Sequence, residues 1–449
     1  MACRGYNKIK RRDFLKMSLG AVAGAMAGAM LCPRLTLAQA NSLAGGKNLI
    51  CINCYGGVDG LAMFPYASGS LASLMKNTCR PTIAPLPNTL NVVAGQSGIA
   101  NPLAYHSGLS SLFNVAGNKI AVIQNYGILG DPGRSHDVSQ NIISLGKTSM
   151  SNSDNRGFLA KLMDNQNWES MQYWALYLEN PSDVNTINES PMVVSDLEYF
   201  NISRLGWERN VDKDYANEIS EILFSQPSSS GLVQSYNNTA IKAYQGVASV
   251  QSSIVSQTVG NNSAGDYTDS YFARSVRDTA KILKAKKNVP ALGLQNKDTL
   301  ILLGQGGYDT HSDQANPNSP EGNLNALLSD LSQNLAVLVR DLEANSLFND
   351  TMIVVYSEFG RTVFENGSAG DLSVGTDHGH GNNTFVLGGP VKRGVYGISP
   401  SSSQLTNDYN ALNPTIDYRH IFSEIFTWMG VSPNTIFDEN YNYSRIGFI

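Results

Sequence analysis

The sequence predicts an α/β fold with a mainly parallel sheet between helices, and three observations predict it. Six short apolar runs recur along the chain, each bounded by turn residues. Runs without polar alternation suit strands covered on both faces, as in parallel sheets. Helical periodicities lie between several runs, and polar stretches rich in Asp, His and Arg adjoin them.

The first forty residues read as a leader. "KIKRRDFLKMSLGAVAGAMAGAMLCPRLTLAQA" places Arg11 and Arg12 before an uncharged Gly/Ala-rich stretch, Met17 to Cys32, and ends at the small-residue signature Ala38, Gln39, Ala40. A membrane anchor needs about 20 strongly apolar residues. This run is shorter and only mildly hydrophobic, so the expectation is cleavage after Ala40, with no stable membrane anchor left. The segment resembles a twin-arginine signal peptide. That implies the twin-arginine translocase as a partner during export and a periplasmic or secreted location.

Composition agrees with export. Charged residues make up 15% of the 449, against roughly 25% in an average soluble protein. Beyond residue 40 there are 25 basic and 36 acidic side chains, a net charge of −11. Nucleic acid and anionic lipid are therefore excluded as expected partners. Residues 41–449 are long enough for a sizeable core.

The strand candidates, in order, are "NLICINC" (48–54), "KIAVIQN" (119–125), "YWALYLE" (173–179), "DTLILLG" (298–304), "TMIVVYS" (351–357) and "NTFVLGG" (383–389). Between the fourth and fifth, Leu324, Leu327, Leu328, Leu331, Leu335, Leu338 and Leu342 repeat on one helical face. That makes 298–357 a right-handed βαβ candidate. Ser/Asn-rich pieces from about 209 to 290 separate further helical patterns, with Phe272, Val276, Ala280 and Leu283 on one face. They suggest a helical insertion over the sheet. Cys51 and Cys54 form a C-x-x-C inside the first strand run, with no activating helix N-terminus beside it. Buried, structural cysteines are expected there, and a disulfide involving Cys79 stays open in an oxidising compartment.

A parallel sheet hosts its site at the carboxyl ends of its strands. After the first run comes Asp59 in "YGGVDG"; after the second come Arg134, Ser135 and His136 in "GRSHD". Asp309 and His311 follow the fourth run in "GGYDTHSDQ", Glu358 and Arg361 follow the fifth in "SEFGRT", and Asp377, His378 and His380 precede the sixth in "GTDHGHGNN". Each has a plain structural reading: a turn aspartate, a helix cap, an ion pair, a solvated loop. Their convergence on one sheet edge favours chemistry. Oxygen and imidazole donors without thiolate suit a divalent metal, zinc or manganese first and calcium or magnesium next. Such an ion polarises phosphoryl or sulfuryl oxygens. Ser135, at the expected start of a helix, combines a hydroxyl with an anion-binding helix terminus.

The segments "GGVDGL", "GRSHDVSQ", "RGFLAKL", "FARSVRDTAKIL", "GGYDTHSDQ", "SLFNDTMIVVYSEFGRT" and "DHGHGNNTFVLGGPVKRGVYG" run in order over most of 48–397. Together they resemble the family catalogued as domain of unknown function 1501, which is similar in turn to the alkaline phosphatase and sulfatase superfamily. The resemblance implies a three-layer sandwich, a mainly parallel sheet between helices, with two metal ions at its carboxyl edge. It would make Asp59 a ligand of one metal and Ser135 the nucleophile, with Asp309, His311 and either His378 or His380 on the other metal. Glu358 stands where the superfamily usually has an Asp followed by a His, and here Phe359 follows. Asp309 and His311 are two residues apart where four is common. With a ligand missing, His136, His378 or His380 would substitute, Asp377 adds a carboxylate, and Arg134 or Arg361 would supply positive charge. Two functions follow: an exported metal-dependent hydrolase of phosphate or sulfate esters, small or on saccharides, and a non-catalytic carbohydrate- or protein-binding descendant of that fold.

Overall fold

The computed structural model describes residues 46–130, 133–150, 155–199, 250–318, 323–437 and 442–449, with residues 222, 225, 230, 233, 234 and 237. The segment expected to be a leader, residues 1–40, and most of 200–249 lie outside the described residues. Among those described, nine strands form one sheet: β1 (Asn48–Cys54), β2 (Ile120–Gly127), β3 (Tyr173–Ala175), β4 (Met192–Val193), β5 (Thr299–Gln305), β6 (Thr351–Tyr356), β7 (Asn382–Gly388), β8 (Gly394–Tyr396) and β9 (Ile416–Asp417). The order is β4-β3-β5-β1-β6-β7-β2-β8, with β9 also on β2. β7 is antiparallel to β6 and β2, and every other pairing is parallel.

β1 lies between β5 and β6, and its seven residues are all buried. Side chains alternate across a strand, so Ile50, Ile52 and Cys54 enter one hydrophobic core while Leu49 and Cys51 enter a second on the opposite face. Helices cover both faces, which makes three layers. The same alternation separates Cys51 from Cys54. Those two and Cys79 are buried free cysteines, so the disulfide left open at Cys79 is not formed.

The long leucine-patterned helix runs Leu324–Ala344. Asn323 caps it by accepting from the Ala326 amide, and Leu328, Leu331, Leu335, Leu338 and Leu342 pack into the first core. Helix Tyr271–Asn288 lies against it and against β5, with Ser270 accepting from the Ala273 amide as its cap. Its Phe272, Val276, Ala280 and Leu283 are all buried. No helix among the described residues is long and apolar enough to cross a membrane.

The reversal of β7 matters for the site. A segment preceding an antiparallel strand emerges at the edge where parallel strands end. The 376–381 loop therefore meets the loops that follow β1, β5 and β6.

Candidate metal centre

Three imidazoles and one carboxylate meet at that edge. His136 opens helix His136–Leu145, with Ser135 at its N-cap. Asp309 and His311 lie in the turn after β5, and His378 in the loop before β7. Asp309 Oδ1 lies 3.0 Å from His311 Nε2, 3.1 Å from His378 Nε2 and 3.4 Å from His136 Nε2. One donor atom from each of His136, Asp309 and His378 falls within 4.8 Å of the others.

Each ring's outer nitrogen is fixed. His378 Nδ1 is 2.8 Å from the Arg134 carbonyl, which only accepts, so Nδ1 carries the proton. His136 Nδ1 meets Glu358 Oε1 at 2.7 Å, and His311 Nδ1 meets Asp377 Oδ1 at 2.9 Å. By the same reasoning each neutral ring turns an Nε2 lone pair inward. His311 and His378 bring those atoms within 2.9 Å, and His136 Nε2 is buried without a hydrogen-bond partner. Converging lone pairs repel unless a proton or cation lies among them. Metal-bound histidines are anchored through the second nitrogen in this way, so the residues present fit a divalent cation.

The outer groups hold this set in place. Glu358, 2% exposed, also accepts from the Gly56 amide at 2.9 Å and from Gln140 at 3.2 Å, with Ser357 Oγ at 2.8 Å. Burial would raise its pKa, but the hydrogen bonds from His136, Ser357 and backbone outweigh that and hold it below the ordinary value. The Glu358 bond in turn raises His136, against its partial burial. Asp309 is likewise opposed by burial yet held down to about 2 by Arg361, helped by the nearby imidazoles. Asp377 accepts from Asn366 at 3.1 Å as well as from His311, and these bonds keep it low despite desolvation.

Arg361 is 1% exposed, and its role differs from a charge facing substrate. It donates to Asp309 Oδ1 at 2.6 Å, to the carbonyls of Gly57 at 2.7 Å, Tyr308 at 2.9 Å and Thr376 at 3.1 Å, and to that of Gly56. One buried guanidinium thus ties the ends of β1 and β5 to the loop before β7. Gly56 has φ 110°, and a Cβ there would stand 2.4 Å from the Asp309 amide nitrogen. Only glycine allows that approach. Arg134 similarly bonds the carbonyls of His378, at 3.1 Å, and Tyr409, and covers the Tyr409 ring at 4.0 Å. Phe359, where the superfamily resemblance expects a histidine, is 3% exposed and packs at centroid distances of 4.8 and 5.0 Å from His136 and His378. It floors the site.

Two expected metal residues are placed elsewhere. Asp59 is fully buried; it accepts from Arg80 at 2.8 and 3.0 Å, from Gln314 at 2.6 Å and from the amides of Leu61 and Ala62. Its lone pairs are committed to an ion pair and a helix cap. His380 is buried, with Nε2 2.8 Å from the Ile128 carbonyl. Ser135 is exposed, and its hydroxyl makes no capping bond. Gln140, Asn366, Arg80 and Gln314 were not anticipated, since no spacing marks them. The face is open at its rim: Asp309, His311 and Asp377 are 47%, 44% and 57% exposed.

A family model described as "Protein of unknown function (DUF1501)" matches residues 131–443. The chain belongs to this family. The DUF1501 match spans the whole histidine cluster with Glu358, Arg361 and Asp377, and it begins after Asp59. No curated protein matches the sequence. Among solved structures, this DUF1501 chain is similar to a protein in the alkaline phosphatase superfamily from Vibrio parahaemolyticus, at 12% identity and TM-score 0.39, covering 96% of this chain and 79% of that one. It is also similar to the C-terminal periplasmic domain of EcEptC from Escherichia coli, in complex with Zn, at 11% identity and TM-score 0.33, covering 80% and 77%. TAB5 alkaline phosphatase, a mutant with Mg bound, gives 10% identity and TM-score 0.32, covering 87% and 100%.

Proposed function

We propose that the chain is an exported metal-dependent hydrolase of phosphate or sulfate esters. The observation that carries this reading is the inward convergence of three imidazole Nε2 atoms on Asp309 Oδ1, each ring anchored through Nδ1. His136, Asp309, His311 and His378 would hold the ion, and zinc or manganese suits three nitrogens and one oxygen. When bound, such an ion supplies Lewis acidity towards a phosphoryl or sulfuryl oxygen.

The chain's own residues do the rest. Glu358 Oε1 keeps the proton on His136 Nδ1, and Asp377 Oδ1 keeps that on His311 Nδ1. Arg361 holds Asp309 ionised and in place, so it positions a ligand and does not touch substrate. Ser135 presents a hydroxyl beside His136 at the start of a ten-residue helix, whose free amides and dipole favour an ester's anionic group. A saccharide ester suits the open face.

The test is metal content followed by turnover. Dialysed protein should retain near-stoichiometric zinc or manganese, and His136→Ala and His378→Ala should each lower it. The metal-loaded chain should hydrolyse a member of a phosphate and sulfate ester panel, and Ser135→Ala should abolish that while keeping the metal. Absence of metal in the wild type sinks the proposal. Bound metal without turnover above the Ser135→Ala background would favour a carbohydrate- or protein-binding descendant.

A further inference from the structure

A cavity of about 130 Å³ lies apart from the histidine cluster, between the segment after β1 and the start of helix Leu324–Ala344. Leu61, Ala62, Ala72, Met75, Ala84 and Leu324 make its walls apolar, and His106, Arg80 and Gln314 add polar groups. None of the metal-centre residues lines it.

The polar groups define what the cavity accepts. Arg80 is spent: its guanidinium bonds Asp59 and the carbonyls of Val363 and Thr362, so the pair offers no net charge. Gln314 is spent as well, donating to Asp59 and accepting from Thr310 at 3.0 Å and Thr376 at 2.7 Å. His106 is different. Its Nδ1 accepts from the Gly108 amide at 3.0 Å, capping a short 3₁₀ turn. Burial lowers its pKa, against the nearby Asp59 charge, and favours the neutral ring. With Nδ1 accepting, the neutral ring carries its proton on Nε2. Among the described residues no hydrogen bond uses that donor.

We infer that this cavity is a binding site for a compact uncharged group, a six-membered ring or a branched alkyl of that size, bearing one oxygen acceptor for His106 Nε2–H. The size is right, since an apolar cavity of about 150 Å³ takes up benzene. An anion is disfavoured because Asp59 lies within electrostatic reach of His106 and already neutralises Arg80. Exposed Ser107 and Asn325 are among the lining residues, so a larger molecule can leave its polar part in solvent. Gln314 joins this wall to Thr310 and Thr376, next in sequence to Asp309 and Asp377.

The experiment uses the full chain in chelator, so that its outcome is independent of the metal centre. Cyclohexanone and toluene, one with and one without an acceptor, are titrated by ligand-observed NMR. Saturable binding of both is expected, with cyclohexanone the tighter. His106→Asn keeps a capping acceptor but removes the Nε2 donor; it should weaken cyclohexanone roughly 2–10-fold and leave toluene unchanged. Ala72→Leu should fill the cavity and abolish both, with Ala84→Leu as the alternative if the first variant unfolds on heating earlier than wild type. No saturable binding of either probe, or unchanged binding in a folded cavity-filling variant, overturns the site. An equal loss of both probes in His106→Asn overturns the role of the donor.

Discussion

Glu358 anchors one ring of the candidate metal centre through that ring's outer nitrogen. It fixes the proton on His136 Nδ1 and is itself held by Gly56, Gln140 and Ser357. Loss of such an outer partner typically costs 10–100-fold in metal affinity. Glu358→Ala should therefore weaken zinc binding by about that factor, read by competition with a chromogenic chelator. Glu358→Gln, whose carbonyl can still accept from Nδ1, should lose much less. Equal losses in the two variants would mean that charge, and not the tautomer, is what Glu358 supplies. Arg361 works through Asp309, and Arg361→Met should lower zinc affinity tenfold or more while circular dichroism still reports the folded chain. An unchanged affinity would detach Arg361 from the centre.

At the level of elements, the apolar runs located β1, β2, β5, β6 and β7 closely because burial on both faces leaves an uninterrupted hydrophobic signature. β3 is shorter than "YWALYLE" suggests, ending at Ala175, since Tyr177 and Glu179 turn out to solvent. Local sequence could also mark the strand-end loops, and eight of the eleven expected site residues do lie in one network. It could not separate Asp59 from them, because an aspartate among glycines looks the same whether it binds a metal or Arg80. The partner comes from another turn, 21 residues away. That distinction is measurable. Asp59→Ala leaves the Arg80 guanidinium buried and unpaired, which should cost about 3–5 kcal/mol in urea unfolding, while zinc per folded chain stays the same. Lost zinc at unchanged stability would return Asp59 to the metal.

For the molecule as a whole, pH dependence of stability should reflect buried aspartates as well as the metal centre. Asp183, 2% exposed, is pushed up to about 7 by burial, with a Ser144 hydrogen bond opposing, and Asp278 to about 6 by burial, with the Leu197 amide opposing. A carboxyl whose folded pKa lies above its unfolded value, about 4, binds its proton more tightly when folded. Its contribution is complete below pH 4 and is lost as pH rises through the folded value. Asp309 acts oppositely: held down to about 2, it stabilises above pH 4 and loses that effect only in strong acid. Between pH 4 and 7 the slope from Asp183 and Asp278 is therefore downward, and for Asp183 alone the full shift corresponds to on the order of 4 kcal/mol. Asp183→Asn stands in for the protonated form. In chelator, its urea midpoint should match wild type near pH 4.5 and exceed it at pH 8, a comparison in which all other titrating groups cancel. The same offset at both pH values would show that Asp183 does not take up a proton on folding.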